Sequence, residues 1–133
     1  MPENRIVVGV DDDFRVRESI ESLVESAGYL SRVFSSAEEF LASGVLGEAA
    51  CLITDVRMPG MDGLDLQRRI RIRRPALPVI FISAHFDDEV RLRAFAGGAI
   101  DFMYKPFDAA DLLRVIDRAL NEGAKCQRES SRP

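Results

Sequence analysis

The chain has 133 residues, 47% hydrophobic and 30% charged, which is typical of one soluble globular domain and excludes collagenous, disordered and low-complexity classes. Its 18 Lys and Arg against 22 Asp and Glu give a net charge of -4, which argues against nonspecific binding to nucleic acid or anionic membranes. The apolar runs are far shorter than a membrane span and the N-terminus lacks a signal peptide's apolar region, so we expect a cytoplasmic protein without a membrane partner.

Apolar runs and helical patterns alternate along the chain and predict five strands, each followed by a helix. The first strand is rich in Val and Ile, and three acids, Asp11, Asp12 and Asp13, end it abruptly, as at the exit of a buried strand. Apolar residues then recur at helical spacing until Gly28, which predicts the first helix. The predicted strands are residues 5–10, 29–34, 51–54, 78–82 and 100–104.

The later helices have recognisable starting residues. Ser36 with Glu39 three residues later forms a capping-box pattern before a short second helix. A loop that contains Pro and Gly precedes the third helix, residues 64–73. The acids at positions 87–89 favour the positive end of a fourth helix, and Asp108 is the predicted cap of the fifth.

The C-terminal segment contains the predicted domain boundary. We expect Gly123 to end the fifth helix, so that a single domain covers residues 1–123. Residues 124–133 are predicted to form a flexible tail or the start of a linker, and the sequence leaves open whether the chain stands alone or has been cut from a longer protein. Cys126 lies in this tail and Cys51 in a strand, so we expect two free thiols rather than a disulfide.

The alternation of strands and helices predicts the fold class. Strands joined by helical crossovers form a parallel sheet, and right-handed crossovers cover both faces of it with helices. We therefore predict an α/β fold with a doubly wound, five-stranded parallel sheet and five helices. Ligands of such sheets bind beyond the carboxyl ends of the strands, which is where functional side chains are expected.

Polar and charged residues follow four of the predicted strands at their carboxyl ends. They are Asp11, Asp12 and Asp13 after the first strand, Asp55 after the third, Ser83 after the fourth and Lys105 after the fifth. Carboxylates close together need a metal ion or a proton to neutralise them, and hard oxygen ligands suit Mg²⁺. A carboxylate can also act as a nucleophile toward phosphorus and form an aspartyl phosphate. The sequence therefore predicts a magnesium site able to support phosphoryl transfer.

The motifs at these strand ends resemble those of the receiver domain of two-component response regulators. They are Val-Asp-Asp-Asp at 10–13, Thr-Asp-Val-Arg-Met-Pro-Gly-Met-Asp-Gly at 54–63, Ile-Ser-Ala at 82–84 and Lys-Pro-Phe at 105–107. The resemblance covers about residues 5–121 and is greatest to the FixJ-type receivers, judging from Ala84-His85 and Gly-Ala-Ile-Asp-Phe at 98–102. It implies the flavodoxin-like strand order 2-1-3-4-5.

The resemblance implies a role for each residue of the acidic cluster. Asp55 corresponds to the phosphoryl acceptor, Asp12 to a direct Mg²⁺ ligand and Asp11 to a residue that holds the ion through water. The backbone carbonyl of Arg57 corresponds to a further ligand, so its side chain is not implicated. Mn²⁺ is an alternative ion for such a site.

The resemblance also implies how the domain switches. Ser83 would donate a hydrogen bond to one phosphoryl oxygen and Lys105 would pair with another, while the small Ala84 leaves space for the phosphoryl group. Phe102 matches the aromatic residue that turns inward when the serine moves, and the peptide bond between Lys105 and Pro106 is expected to be cis.

The expected function is that of a phosphoacceptor switch rather than a turnover enzyme. A histidine kinase or phosphotransfer protein would supply the phosphoryl group, and the change would spread to the face formed by the fourth helix, fifth strand and fifth helix. Dimerisation that depends on phosphorylation is a further expectation by resemblance. Direct binding of nucleic acid by this domain is not expected.

Simpler structural interpretations exist for individual residues. The acids at 11–13 alone would suit the N-cap and first turn of a helix, and for Asp13 a role as a helix cap stays an alternative to a role in the site. Lys105 alone would be a surface lysine, Ser83 a strand-end hydroxyl bonded to the backbone, and Phe102 a core residue. The combination of all these residues at one edge of the sheet favours the functional interpretation.

Two further features could be interpreted as functional, but a structural interpretation explains each of them better. Arg68, Arg69, Arg71, Arg73 and Arg74 form a basic block, which in an acidic chain is better explained as a solvated helix face. The sole histidine, His85, is better explained as a loop or contact residue than as a general base, although a role in placing the water that removes phosphate stays open.

Other classes of protein fit less well. A phosphatase of the haloacid dehalogenase type would use Asp11 and Asp13, but Arg15 replaces an expected Thr or Val and no cap domain fits. A flavodoxin-like electron carrier needs a hydroxyl- and Gly-rich phosphate loop where this chain has three acids. A receiver-like module that binds partners without phosphorylation is the remaining alternative, and phosphate acceptance by Asp55 separates it from the main hypothesis.

Overall fold

The computed structural model describes the backbone of residues 5–130 and the side chains of residues 5–121. It is an α/β structure in which strands and helices alternate. The strands are β1 (Ile6–Val10), β2 (Leu30–Phe34), β3 (Ala49–Asp55), β4 (Val79–Ser83) and β5 (Asp101–Tyr104). The helices are α1 (Phe14–Ser26), α2 (Ala37–Ser43), α3 (Gly63–Arg73), α4 (Asp88–Ala96) and α5 (Ala109–Ser130), with a short 3₁₀ helix at Val45–Glu48.

The five strands form one parallel sheet in the order β2-β1-β3-β4-β5, which confirms the predicted fold class. The register aligns the carboxyl ends of the central strands, with Val10 opposite Thr54 and Asp55 opposite Ile82. The reversal of strand order between β1 and β3 leaves the crevice in which ligands of doubly wound sheets bind. Residues that follow β1, β3, β4 and β5 therefore meet at one edge of the sheet.

The hydrophobic core has two layers because successive side chains of each strand point to opposite faces of the sheet. Val7 of β1 packs in the layer under α1 and α5, and its neighbour Val8 packs in the layer under α2, α3 and α4. The first layer is completed by Ile20 of α1 and Ile116 of α5, both fully buried. Both faces of the sheet are thus covered by helices, which leaves the carboxyl ends of the strands as the place for a site.

Short polar side chains fix where the helices begin. Ser36 accepts a hydrogen bond from Glu39 N at 3.1 Å and Asp108 accepts one from Asp111 N at 3.0 Å, as predicted for both caps. The Glu39 carboxylate, however, accepts from Ser35 N rather than from Ser36 N, so the reciprocal half of the predicted capping box is displaced by one residue. Asp13 caps α1 by accepting from Arg15 N at 2.9 Å.

One predicted local feature differs in the structure, and one observed element was not predicted. The fifth helix does not end at Gly123 but continues through Ser130, because good helix formers such as Lys125 and Gln127 follow and glycine costs a helix only about 1 kcal/mol. The 3₁₀ helix at Val45–Glu48 was not predicted, since its start depends on the left-handed conformation of Gly44, with φ +81°.

The predictions of a flexible tail and of a free Cys126 thiol concern residues that the structure describes only in part. Residues 131–133 and the side chain of Cys126 lie outside the described residues, whereas Cys51 is a free, fully buried thiol. Among the helices that the structure describes, none combines the length and the apolar composition that a membrane span requires.

Candidate functional site: an acidic cluster at the carboxyl edge of the sheet

Three aspartates meet where β1 and β3 end. Asp11, Asp12 and Asp55 each place a carboxylate oxygen within 4.8 Å of the other two. Asp11 is fully buried and Asp55 is 6% exposed, while Asp12 faces solvent. The sequence analysis predicted this grouping, and the parallel register of β1 and β3 produces it.

Lys105 joins the cluster from the end of β5. Its Nζ lies 2.8 Å from Asp11 Oδ2 and 3.3 Å from Asp55 Oδ2, and its side chain is 18% exposed. The peptide bond between Lys105 and Pro106 is cis, as the resemblance implied. The lysine thus offers one positive charge to two carboxylates that are largely removed from water.

Burial and charge change the proton affinities of this group. The pKa of Asp55 is raised, first by burial and then by the charge of Asp11, although Lys105 opposes the shift. For Lys105, burial alone would lower the pKa, but the close contacts with Asp11 and Asp55 and their charges outweigh it and the pKa is raised. Lys105 therefore stays cationic, whereas burial destabilises the charged form of the Asp55 carboxylate.

The donor set of the cluster fits a magnesium ion. Asp11 Oδ1 accepts a hydrogen bond from Asp13 N at 2.8 Å, whereas the buried Asp11 Oδ2 faces Lys105 Nζ at 2.8 Å. Three carboxylates within 4.8 Å of one another carry more negative charge than the single lysine neutralises, and such a donor set suits a hard cation with oxygen ligands. Asp12 supplies the solvent-facing side, where a cation can keep several waters.

Ser83 ends β4 and is held by the loop that follows it. Its Oγ accepts a hydrogen bond from His85 N at 3.0 Å and donates one to His85 O at 3.2 Å. Ser83 is buried, and the neighbouring Ala84 is exposed. The hydroxyl is therefore bonded to the backbone of His85, which is the simpler structural role that the sequence allowed for Ser83.

Phe102 lies in the middle of a row of aromatic rings. It is 6% exposed, stacks on Phe81 with centroids 6.0 Å apart, and meets the Tyr104 ring edge-on at 5.5 Å. Tyr104 in turn stacks on the exposed Phe86 at 4.2 Å. Tyr104 and Phe86 could not be identified from the sequence, because nothing in the spacing shows that the loop after β4 folds over β5.

The arginines singled out in the sequence make other side-chain contacts. The exposed side chain of Arg57 approaches Asp87 at 3.7 Å. Arg74 differs from the rest of the basic block: it is half-buried and donates to Leu46 O and Ala49 O at 2.8 and 2.6 Å. The four other arginines of the block are exposed, as predicted.

Comparison with known proteins agrees with this geometry. The family model described as the response regulator receiver domain matches residues 7–117. Response regulator protein TmoT of Ectopseudomonas mendocina is 45% identical over 118 residues, covering 89% of this chain and 54% of TmoT. Transcriptional regulatory protein FixJ of Azorhizobium caulinodans is 39% identical over 129 residues, covering 97% of this chain and 61% of FixJ.

The solved structures give the same result. Response regulator StyR matches with a TM-score of 0.86 at 37% identity, covering 96% of this chain and 64% of StyR. The chain spans a little over half the length of the curated relatives TmoT and FixJ. By fold, site and sequence, the chain belongs to the receiver-domain family of two-component response regulators, whose members are phosphoacceptor switches.

Proposed function

We propose that Asp55 accepts a phosphoryl group from the phosphohistidine of a histidine kinase or phosphotransfer protein. The observation that carries the proposal is the placement of the Asp55 carboxylate, at the end of β3, among Asp11, Asp12 and Lys105. An Asp55 oxygen attacks phosphorus, a P–O bond forms, the P–N bond to the donor imidazole breaks, and the imidazole takes up a proton. The product is an aspartyl phosphate, which water later hydrolyses.

The acidic cluster would hold Mg²⁺, with Mn²⁺ as an alternative. Asp12 would bind it directly, Asp11 through water, and Asp55 and the Arg57 backbone carbonyl would complete the protein ligands. A divalent cation supplies charge neutralisation for the transferred phosphoryl group. Lys105 Nζ lies 3.3 Å from Asp55 Oδ2 and would pair with a phosphoryl oxygen, while the small Ala84 would leave space for the phosphoryl group.

The signal would leave the site through Ser83 and Phe102. Phosphorylation adds about 1.5 to 2 negative charges and three acceptor oxygens. A Ser83 hydroxyl that turns to a phosphoryl oxygen must release His85, and the vacated volume lets Phe102 shift, which changes the face formed by α4, β5 and α5. That face would control the output, including dimerisation that depends on phosphorylation.

In this proposal the domain works in the cytoplasm as a switch, with slow loss of its own phosphate, and not as a turnover enzyme. It would contact a kinase and an output partner but not nucleic acid. The alternative of a module that binds partners without phosphorylation is not favoured, because Asp11, Asp55, Ser83 and Lys105 all stand at the same edge of the sheet.

Chemical mapping of the acceptor tests the proposal. The protein is incubated with phosphoramidate and Mg²⁺ and then reduced with borohydride, which converts an aspartyl phosphate into homoserine. Peptide mass mapping should find homoserine at position 55. Homoserine at another aspartate, or at none despite Mg²⁺ binding shown by calorimetry, would contradict the assignment.

A further inference from the structure

The loop between β3 and α3 folds back onto the phosphoryl acceptor. Gly63 N donates to Val56 O at 2.8 Å, which closes residues 56–62 into a compact turn. A Cβ atom on Gly63 would lie 2.3 Å from Asp55 O, so the end of the loop packs directly against the backbone of Asp55. The position of the loop, which carries Arg57, therefore shapes one wall of the acidic cluster.

A carboxylate from α2 holds the tip of this loop. Glu38 Oε2 accepts a hydrogen bond from Met61 N at 3.0 Å, although the two residues are 23 positions apart. Gly60, with φ +78°, admits this contact, because a Cβ there would lie 2.5 Å from the same oxygen. The loop sequence is thus suited to accept the Glu38 side chain at close range.

The charge of Glu38 strengthens this contact. Its hydrogen bond with the Met61 backbone lowers the pKa of the Glu38 carboxyl, helped by its own backbone N–H and by the positive charge of Arg69. A carboxylate accepts a stronger hydrogen bond from an N–H than a neutral oxygen does. The neighbouring Glu39 makes a different contact, since it accepts a hydrogen bond from Ser35 N just before α2.

We propose that Glu38 is a positioning residue for the phosphoryl-transfer site. It fixes the loop tip to α2 so that the backbone between Asp55 and Met61 presents its carbonyl groups to the cation consistently. Glu38 touches neither the cation nor the phosphoryl group in this account. The inference rests on the proposed function of Asp55 and adds a residue to it that the motifs alone do not identify.

The test compares Glu38→Ala, Glu38→Gln and Glu39→Ala with the unaltered chain. Calorimetry with MgCl₂ measures Mg²⁺ affinity without any phosphorylation step, and amide spectra report the Met61 N–H. Because outer-shell changes cost metal sites roughly 10- to 100-fold in affinity and this contact is exposed, we expect about three- to tenfold weaker Mg²⁺ binding in Glu38→Ala.

The two other variants separate positioning from charge and from helix stability. Glu38→Gln keeps an acceptor oxygen and should retain Mg²⁺ affinity within about twofold, with a Met61 amide signal near its original position. Glu39→Ala removes an equal charge from the same helical turn and should bind Mg²⁺ normally. Equal losses in Glu38→Ala and Glu38→Gln, or in Glu38→Ala and Glu39→Ala, would overturn the inference.

Failure of this inference differs from failure of the proposed function. If the unaltered chain forms a phosphoryl adduct at Asp55 and Glu38→Ala binds Mg²⁺ equally well, only the role of Glu38 is wrong. If no variant or parent is phosphorylated, the role of Asp55 is wrong, whereas the Mg²⁺ affinities still decide whether Glu38 positions the loop.

Discussion

At the residue scale, the site depends on how its buried charges are balanced. Asp11 and Asp55 are nearly removed from water and repel each other, and Lys105 lies within 3.3 Å of both. A buried charge that loses its partner costs several kcal/mol, so the lysine stabilises the cluster before any cation binds. The same three groups become the acceptor, a cation holder and a phosphate partner in the proposed function.

Cys51 provides a prediction about stability at alkaline pH. The thiol is fully buried in β3, and burial raises its pKa to about 12 from 9.0. The unfolded chain therefore loses this proton near pH 9 and the folded chain does not, so folding stability should fall as pH rises from about 9 to about 12. The loss in free energy of unfolding that this thiol causes approaches roughly 1.4 kcal/mol per pH unit.

Urea unfolding from pH 8 to 10.5 measures this effect. Cys51→Ala should lose less stability per pH unit than the unaltered chain across that range. Cys126→Ala keeps the buried thiol and should follow the unaltered chain. Parallel pH profiles for Cys51→Ala and the unaltered chain would show that the buried thiol has no such influence.

At the element scale, α4 is weakly attached to the sheet. Within this helix, all of which is described, Ala94 is the buried residue, and the remaining side chains are exposed or half-buried. The buried amide of Gln67 in α3 donates to Ala94 O at 2.9 Å. A helix with so few buried contacts is suited to move when the site changes, and the Gln67 hydrogen bond limits that motion.

Gly97 at the end of α4 tests how tightly this contact is packed. A Cβ there would lie 2.5 Å from Gln67 Oε1, although the backbone itself suits alanine, with φ -80°. Gly97→Ala should therefore displace the buried amide and destabilise the domain by about 1 to 2 kcal/mol, the cost of a lost buried hydrogen bond. In a Gln67→Ala background the same change should be neutral or stabilising.

A double-mutant cycle from urea unfolding gives the coupling between the two positions. We expect an interaction of at least about 1 kcal/mol. Additive effects would mean that Gln67 moves aside at no cost and that its amide does not restrain α4.

At the scale of the whole molecule, the proposed switch would link the acidic cluster to the face formed by α4, β5 and α5 through Ser83 and Phe102. We expect Ser83→Ala to accept a phosphoryl group but to transmit less of the change, because the hydroxyl that would bind the phosphoryl group is missing. Hydrogen exchange of amides in α4 and β5, measured before and after phosphorylation, reports the change. An undiminished response in Ser83→Ala would exclude Ser83 from the pathway.

The sequence predicted the architecture and the main site because both depend on local signals. Apolar runs ending in acids predicted β1 and β3, and parallel topology then brought Asp11, Asp12, Asp55 and Lys105 together. Contacts between distant segments were not predictable in this way. The hydrogen bond from Met61 N to Glu38 and the two hydrogen bonds of Arg74 join segments that lie far apart in the sequence, and periodicity does not encode such contacts.

The central claim is that Asp55 accepts a phosphoryl group with the help of a divalent cation. Intact mass after incubation with acetyl phosphate, with Mg²⁺ or with EDTA, tests it most directly in the unaltered chain and in Asp55→Asn. The account predicts a single phosphoryl adduct that requires Mg²⁺, is removed by hydroxylamine and is missing in Asp55→Asn. An adduct that persists in Asp55→Asn, or no adduct in a chain that binds Mg²⁺, would contradict it.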